Sequence, residues 1–272
     1  MPYIRENKIY LLYPPISKLE RYSSKIGSAG GEQIPLGVYY LASYLRQNNF
    51  GVKVTDAEAL KLNTQQIIKE IADFKPKFVG ISSTTVAFHR ALEVAKAIKL
   101  NFPEIKIILG GPHITSNPEH AMSFEEFDYG ALHEGEYTIV ELLRALNSGS
   151  GLDGVKGIAF RDGESKVFFT PKRDYIENLD SLPFPAYDLL PDIYLYSPPP
   201  SNYKTLPVVN IITSRGCPNQ CTFCDRNVFG TKYRYRSPEN IVAEIKYLRE
   251  KYGVREIAFV DDSFLTDKKR IY

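Results

Sequence analysis

Between Lys8 and about Leu146, five strand-length apolar runs alternate with longer amphipathic patterns, and this alternation constrains the fold more than any other feature. The runs are Lys8–Tyr13, Val52–Asp56, Lys77–Ser82, Glu104–Gly110 and Asp128–His133, rich in branched and aromatic side chains. Between them, Tyr39, Leu41, Tyr44 and Leu45 share one helical face, as do Ile67, Ile68, Ile71 and Ala72, and then Leu92, Ala95, Ile98 and the stem of Lys99. Asn63 and Thr64 offer N-caps, and Pro76 and Pro103 stop helices ahead of the next strand. Strand–helix repetition of this kind predicts a parallel sheet covered on both faces, with ligands beyond the carboxyl ends of the strands.

The segments at those ends are suggestive. Twenty-three residues, Pro14 to Leu36, separate the first strand from its helix, against a usual connection of about two to six. Ser82, Ser83, Thr84 and Thr85 follow the third strand, Gly110-Gly111-Pro112-His113 the fourth, and Glu134-Gly135-Glu136 the fifth. Small hydroxyls and glycines let a bulky ligand approach the backbone, although each cluster also suits a tight turn or cap. The glycine-rich Gly27-Ser28-Ala29-Gly30-Gly31 lacks the spacing of a dinucleotide fingerprint, and no phosphate-loop motif occurs, so a dinucleotide or triphosphate is not expected.

Val155 to Thr170 reads as a hairpin about Asp162-Gly163. Pro171 to Pro207 then holds eight of the chain's 18 prolines and reads as an extended connector. A buried-strand pattern, Val208 to Ile212, leads into Thr213-Ser214-Arg215-Gly216-Cys217. A helix follows Ser237-Pro238, and Glu256 to Val260 forms a second strand ending in Asp261-Asp262. This order is the opening of a (β/α) barrel, and the chain divides into residues 1–150, 151–206 and 207–272.

The three cysteines, Cys217, Cys221 and Cys224, lie within eight residues in a Cys-x3-Cys-x2-Cys loop after the first barrel strand. An odd, clustered set of thiols points to metal or to thiol reactivity rather than to a disulfide framework. Thiolates suit zinc or an iron–sulfur cluster; structural zinc wants four ligands, and no histidine follows residue 133, whereas a cubane held by three cysteines leaves one iron open. Lys and Arg total 34 against 32 Asp and Glu, and a net charge of +2 does not point to nucleic acid. No apolar run approaches the roughly 20 residues of a membrane span, and the start of the chain does not read as a secretion signal, so a soluble, cytoplasmic protein is expected.

The loop CPNQCTFC after TSRG, together with GGPHIT at 110–115, HEGEYT at 133–138, VKGIAF at 155–160 and ENLDSLPFPAYDLLP at 177–191, resembles the cobalamin-binding radical S-adenosylmethionine enzymes. That class includes methyltransferases and the anaerobic porphyrin ring cyclase. The resemblance implies a Rossmann-like, five-stranded cobalamin-binding domain, a hairpin and Pro-rich connector, and the first two strand–helix units of a radical S-adenosylmethionine barrel. It implies that Cys217, Cys221 and Cys224 hold a 4Fe-4S cluster whose open iron chelates S-adenosylmethionine, for reductive cleavage of the sulfonium. Phe223 would lie beside the adenine, and Asp261 or Asp262 would take the methionine amino group, although the usual glycine-glycine-glutamate motif is not present there. Ser82, Ser83, Thr84, Gly110, Gly111, His113, Glu134, Gly135 and Glu136 would border cobalamin. None of the four histidines sits in the D-x-H-x-x-G motif that supplies a lower cobalt ligand.

A barrel of this family takes about six strand–helix units of at least 30 residues, and only 56 residues run from Cys217 to Tyr272. The barrel is therefore expected to be unfinished, weakly stable alone and open at one edge, with the chain a fragment or completed by a second polypeptide. The expected partners are a small-molecule substrate and a flavodoxin- or ferredoxin-type reductant, with no nucleic acid. The alternatives are a corrinoid-binding module with a vestigial cluster loop and a zinc-stabilised interaction protein.

Overall fold

A computed structural model describes residues 7–22, 31–162 and 166–270. Gly163, at the expected hairpin turn, and most of the glycine-rich 27–31 segment lie outside them. In chain order the elements are β1 (Lys8–Tyr13), α1 (Lys18–Tyr22), α2 (Leu36–Gln47), β2 (Gly51–Asp56), α3 (Thr64–Phe74), β3 (Phe78–Ser82), α4 (Phe88–Asn101) and β4 (Lys106–Gly110). There follow α5 (Pro112–Ser116), α6 (Pro118–Met122), β5 (Tyr129–Ala131), α7 (Gly135–Ser148), β6 (Ile158–Arg161) and β7 (Val167–Phe169). The last part holds β8 (Val208–Ile211), β9 (Ser214–Arg215), β10 (Arg234–Tyr235), α8 (Pro238–Tyr252) and β11 (Glu256–Phe259).

The first sheet has the order β2-β1-β3-β4-β5-β6-β7, with β1 to β5 parallel and β6 and β7 antiparallel. The α/β class is as the alternation requires, with one correction. The expected hairpin, β6–β7, is not outside the five-stranded sheet; it pairs antiparallel with β5 and brings the sheet to seven strands. Its edge pairing covers backbone groups of β5 that a five-stranded sheet would leave open.

Side-chain alternation sorts the strands onto two faces. Tyr10, Leu12, Val79, Ile81, Ile107 and Leu109 pack with α3 and α4 on one face; Ile9, Leu11, Phe78 and Ile108 pack with α2 and α7 on the other. Helix ends follow their chemistry. Asn63 caps α3 by accepting from Gln66 N–H while the Gln66 side chain accepts from Asn63 N–H, a reciprocal pair.

The second unit has a two-stranded parallel sheet, β8 with β11, and a two-residue antiparallel ladder, β9 with β10. Ser237 caps α8, Pro238 opens it, and Gly253 closes it in the left-handed conformation. Val209, Ile211, Leu248 and Val254 share one core with Leu36, Tyr39 and Tyr40 of α2 and with Tyr187, Ile193 and Tyr196 of the connector. Asn210, buried in β8, both accepts from and donates to the backbone of Ile34. The second unit thus folds against the carboxyl-end side of the first. Among the described residues no helix is long and apolar enough to cross a membrane.

Candidate functional site

The carboxyl ends of β1, β3, β4 and β5 face the second unit across a cavity of about 650 Å³. Its apolar wall includes Leu11, Leu12, Ile34, Val38, Ile81, Ile108 and Ile139. Its rim carries Ser82, Thr84, Gly110, Gly111, Pro112, His133, Glu134, Gly135 and Glu136 from the first unit, and Asn210, Arg215, Asp225, Arg226, Phe229 and Asp262 from the second. An apolar cavity with a few convergent polar groups is the usual form of a small-molecule site. A larger, more open cavity of about 810 Å³ lies at the amino edge of the sheet, lined by Asn7, Asn48, Asn49 and Asn147 and remote from the cysteines.

Glycine shapes the rim. A Cβ on Gly37 would meet nothing within 4 Å, and one on Gly110 only the Ala131 carbonyl at 4.0 Å. Each is a place where bare backbone borders the open space. Gly111 has φ +94°, and a Cβ there would lie 2.8 Å from the Ser83 carbonyl oxygen, so the β4–α5 turn requires glycine. Of the expected rim residues, Ser83 and His113 stand behind the wall. Ser83 is fully buried and donates to the Thr84 carbonyl. His113 packs against Phe88 with centroids 4.0 Å apart, and its Nε2 lies 3.3 Å from His120 Nδ1. Burial, with the charge of His120 second, holds the His113 pKa below its usual value.

The cysteine loop, residues 216–233, leaves β9 and returns through β10. Gly216 has φ +84°, and a Cβ would lie 2.3 Å from Lys232 O; Gly230 has φ +75°, and a Cβ would lie 2.5 Å from the Tyr175 ring. Both turns therefore require glycine. Cys217 N–H donates to Gly230 O and Cys224 N–H to Cys221 O, each at 3.2 Å. Cys217 is half-buried, while Cys221 and Cys224 are exposed. Among the described residues no three His, Cys, Asp or Glu side chains stand close enough to hold a metal ion, so the thiols share a loop without converging. Phe223 points into solvent, 91% exposed.

The loop's second half docks on the first unit. Asn227 O accepts from Tyr175 Oη at 3.1 Å and lies 2.6 Å from His133 Nδ1, and Ser116 bonds the Asp225 carboxylate. Burial lowers the His133 pKa, the contact with Asn227 O opposing it. Asp261 Oδ1 accepts from Thr213 N–H, Thr213 Oγ1 and Ser214 Oγ at 3.0, 2.8 and 2.5 Å, tying β11 to the segment entering the loop. Its buried Oδ2 has no partner among the described residues. Asp262 borders the cavity.

Sequence reasoning missed Arg215 and Arg234. Arg215 donates to Glu134 Oε1 at 2.8 Å and Glu136 Oε1 at 2.5 Å; Arg234 donates to both oxygens of Glu134 at 2.9 Å and to Ile176 O at 2.7 Å. Arg215 also lies over the rings of Tyr40 and Phe229, 5.4 and 5.1 Å from their centroids. For Arg215 the available signal was its place three residues beyond the apolar run that ends at Ile212, since an arginine so close to a buried strand needs a buried partner.

Comparisons with known proteins agree with this geometry. Residues 24–143 match the B12 binding domain and residues 211–272 the Radical SAM superfamily. The chain thus joins a B12 binding domain to a Radical SAM domain, and in this pairing it is similar to the cobalamin-binding radical S-adenosylmethionine enzymes. It is 38% identical over 268 residues to an uncharacterized methyltransferase of Pyrococcus horikoshii, covering 97% of this chain and 55% of that protein. It is 31% identical over 258 residues to the anaerobic magnesium-protoporphyrin IX monomethyl ester cyclase of Rubrivivax gelatinosus, covering 92% of this chain and 45% of the cyclase. It thus spans about half the length of these curated relatives. The cobalamin-dependent S-adenosylmethionine radical enzyme OxsB, solved with aqua-cobalamin and S-adenosylmethionine bound, superposes with a TM-score of 0.78 at 23% identity, over 97% of this chain and 36% of that one. TsrM of Kitasatospora setae, solved with cobalamin and a [4Fe-4S] cluster, gives 0.68 at 18% identity, over 95% of this chain and 48% of that one. These two likenesses establish the shared fold.

Proposed function

We propose that this chain is the cofactor-holding part of a cobalamin-dependent radical S-adenosylmethionine enzyme of the methyltransferase or cyclase kind, with residues 1–150 for the corrinoid and 207–272 for the cluster. The observation that carries this reading is the single cavity bordered on one side by the glycine- and hydroxyl-bearing strand ends and on the other by residues flanking the cysteine loop.

The residues present fit these groups. Bare backbone at Gly37 and Gly110 admits a broad ligand against the apolar wall, with Ser82 and Thr84 as hydroxyl partners at its edge. Cys217, Cys221 and Cys224 supply three soft donors on one loop, of which residues 218–224 are exposed and Cys217 is half-buried. When bound, the cluster supplies one electron to S-adenosylmethionine and the corrinoid supplies a carrier for a one-carbon group. Asp262, one of the carboxylates lining the cavity, would meet a cationic ammonium, and the unpartnered Asp261 oxygen stands next to it in sequence. A small-molecule substrate and a flavodoxin- or ferredoxin-type reductant follow from this reading.

Anaerobic reconstitution with iron and sulfide tests it. About four irons per chain, loss of the visible band in Cys221→Ala, and reductive cleavage of S-adenosylmethionine are expected. Corrinoid uptake without cleavage would reduce the chain to a corrinoid carrier, and stoichiometric zinc without iron would overturn the cluster assignment.

A further inference from the structure

Glu134, Glu136, Arg215 and Arg234 form a buried quartet, each side chain no more than 5% exposed, with two positive and two negative charges. The two arginines are partners in the β9–β10 ladder, which is only two residues long and closes a loop of 18 residues. A ladder that short does not hold such a loop by itself. Glu134, 81 residues from Arg215 and 100 from Arg234 in sequence, takes a hydrogen bond from each and so joins both ends of the loop to the strand end after β5. Its oxygens are fully used. Oε1 accepts from both arginines, and Oε2 accepts from Arg234 and from Ile176 N–H at 2.7 Å.

Replacing buried ion pairs by packed apolar groups is often neutral or stabilising, so four buried charges are poorly explained by stability alone. What directed, multiply bonded charges add is registry. We propose that Glu134 is a positioning residue for the cysteine loop: it fixes both loop ends against the cavity rim, so that the thiols and the glycine edge keep one mutual geometry. The proposal rests on the function given above for the loop. It also gives Glu134 a role distinct from contact with a ligand in the cavity.

The test compares Glu134→Gln, which keeps shape and removes charge, with Glu244→Gln at the other buried pair, where Glu244 holds Arg236 and Tyr187. Amide hydrogen exchange on the full 272-residue chain is read first, without cofactors. In Glu134→Gln, exchange over residues 214–236 rises about tenfold or more while α3 and α8 stay within about twofold of wild type; in Glu244→Gln the rise falls on α8 instead. Reconstitution follows, and iron bound by Glu134→Gln drops to less than about half that of wild type while Glu244→Gln retains it. Loop exchange unchanged in Glu134→Gln, or a uniform rise over the whole chain, overturns the proposal, the second because it makes the quartet a general stability element. A wild-type chain that takes up no iron sinks the proposed function, and the exchange measurement still decides the role of Glu134.

Discussion

Two sets of parallel strands in this chain have different surroundings. In the first unit, β1 and β3 are buried along almost their whole length because helices cover both faces of the sheet. In the second, β8 is fully buried but β11 is not: its residues are half-exposed, Phe259 is 45% exposed, and its outer edge has no strand partner among the described residues. Parallel sheets are ordinarily covered on both faces. The second unit therefore draws its order from the first, through a shared core and through buried charges, rather than from its own sheet.

The largest test of this contrast is Glu244→Ala. Glu244 is completely buried in α8, and its loss strips Arg236 of its counter-charge and Tyr187 Oη of its 2.7 Å acceptor. Uncompensated buried charge costs about 3–5 kcal/mol. Urea unfolding followed by amide exchange should show α8 opening before α4; a single shared midpoint would mean that the two units are one cooperative body. Next, the same truncation is made in each sheet. Ile81→Ala, 1% exposed in β3, should cost about 2–5 kcal/mol, and Ile257→Ala, half-exposed in β11, about 1 kcal/mol or less. Equal costs in chemical denaturation would erase the distinction.

A third test concerns the first unit's own margin beside β2. Burial pushes the Glu58 carboxyl up to about 7, with the Arg21 guanidinium opposing and Asp56 adding to the rise. The unfolded carboxyl titrates near its ordinary value of about 4.3, so between those limits the folded state binds more protons. Stability then falls as pH rises across that window, by up to about 3 kcal/mol, and Glu58→Gln should flatten the slope. The smallest effect is Lys232→Ala. Its 2.6 Å pair with Glu177 joins the cysteine loop to the connector at a site where both side chains are 65% exposed, and such pairs contribute at most about 1 kcal/mol. A larger loss would show that the rim of the loop, and not only its buried base, depends on charge.

Much of the first unit was legible because its signals are local. Period-2 and period-3.6 apolar patterns mark strands and helices, Asn63 caps where an Asn should, and the cysteine spacing marks the loop. What escaped depends on residues far apart in the chain. That β6 adds antiparallel to β5 is a choice of partner, which no periodicity within β6 encodes. The meeting of Arg215 and Arg234 at Glu134 likewise leaves no local pattern, so the sequence did not show that Glu134, and one oxygen of Glu136, bond arginine at the cavity rim. Ser83 and His113 lie beside cavity residues in sequence but turn behind the wall, a difference set by the turn at Gly111.

The 100-residue separation between Glu134 and Arg234 also has a temporal meaning. Ribosomes add about 5–20 residues per second, so Glu134 leaves the ribosome roughly 5–20 s before the second arginine that neutralises it. During that interval the nascent first unit presents an uncompensated acidic rim and an open apolar hollow, with no thiols yet beside it. The order of synthesis thus places the neutralisation of Glu134, and with it the anchoring of the cysteine loop, after all five parallel strands of the first unit have been made.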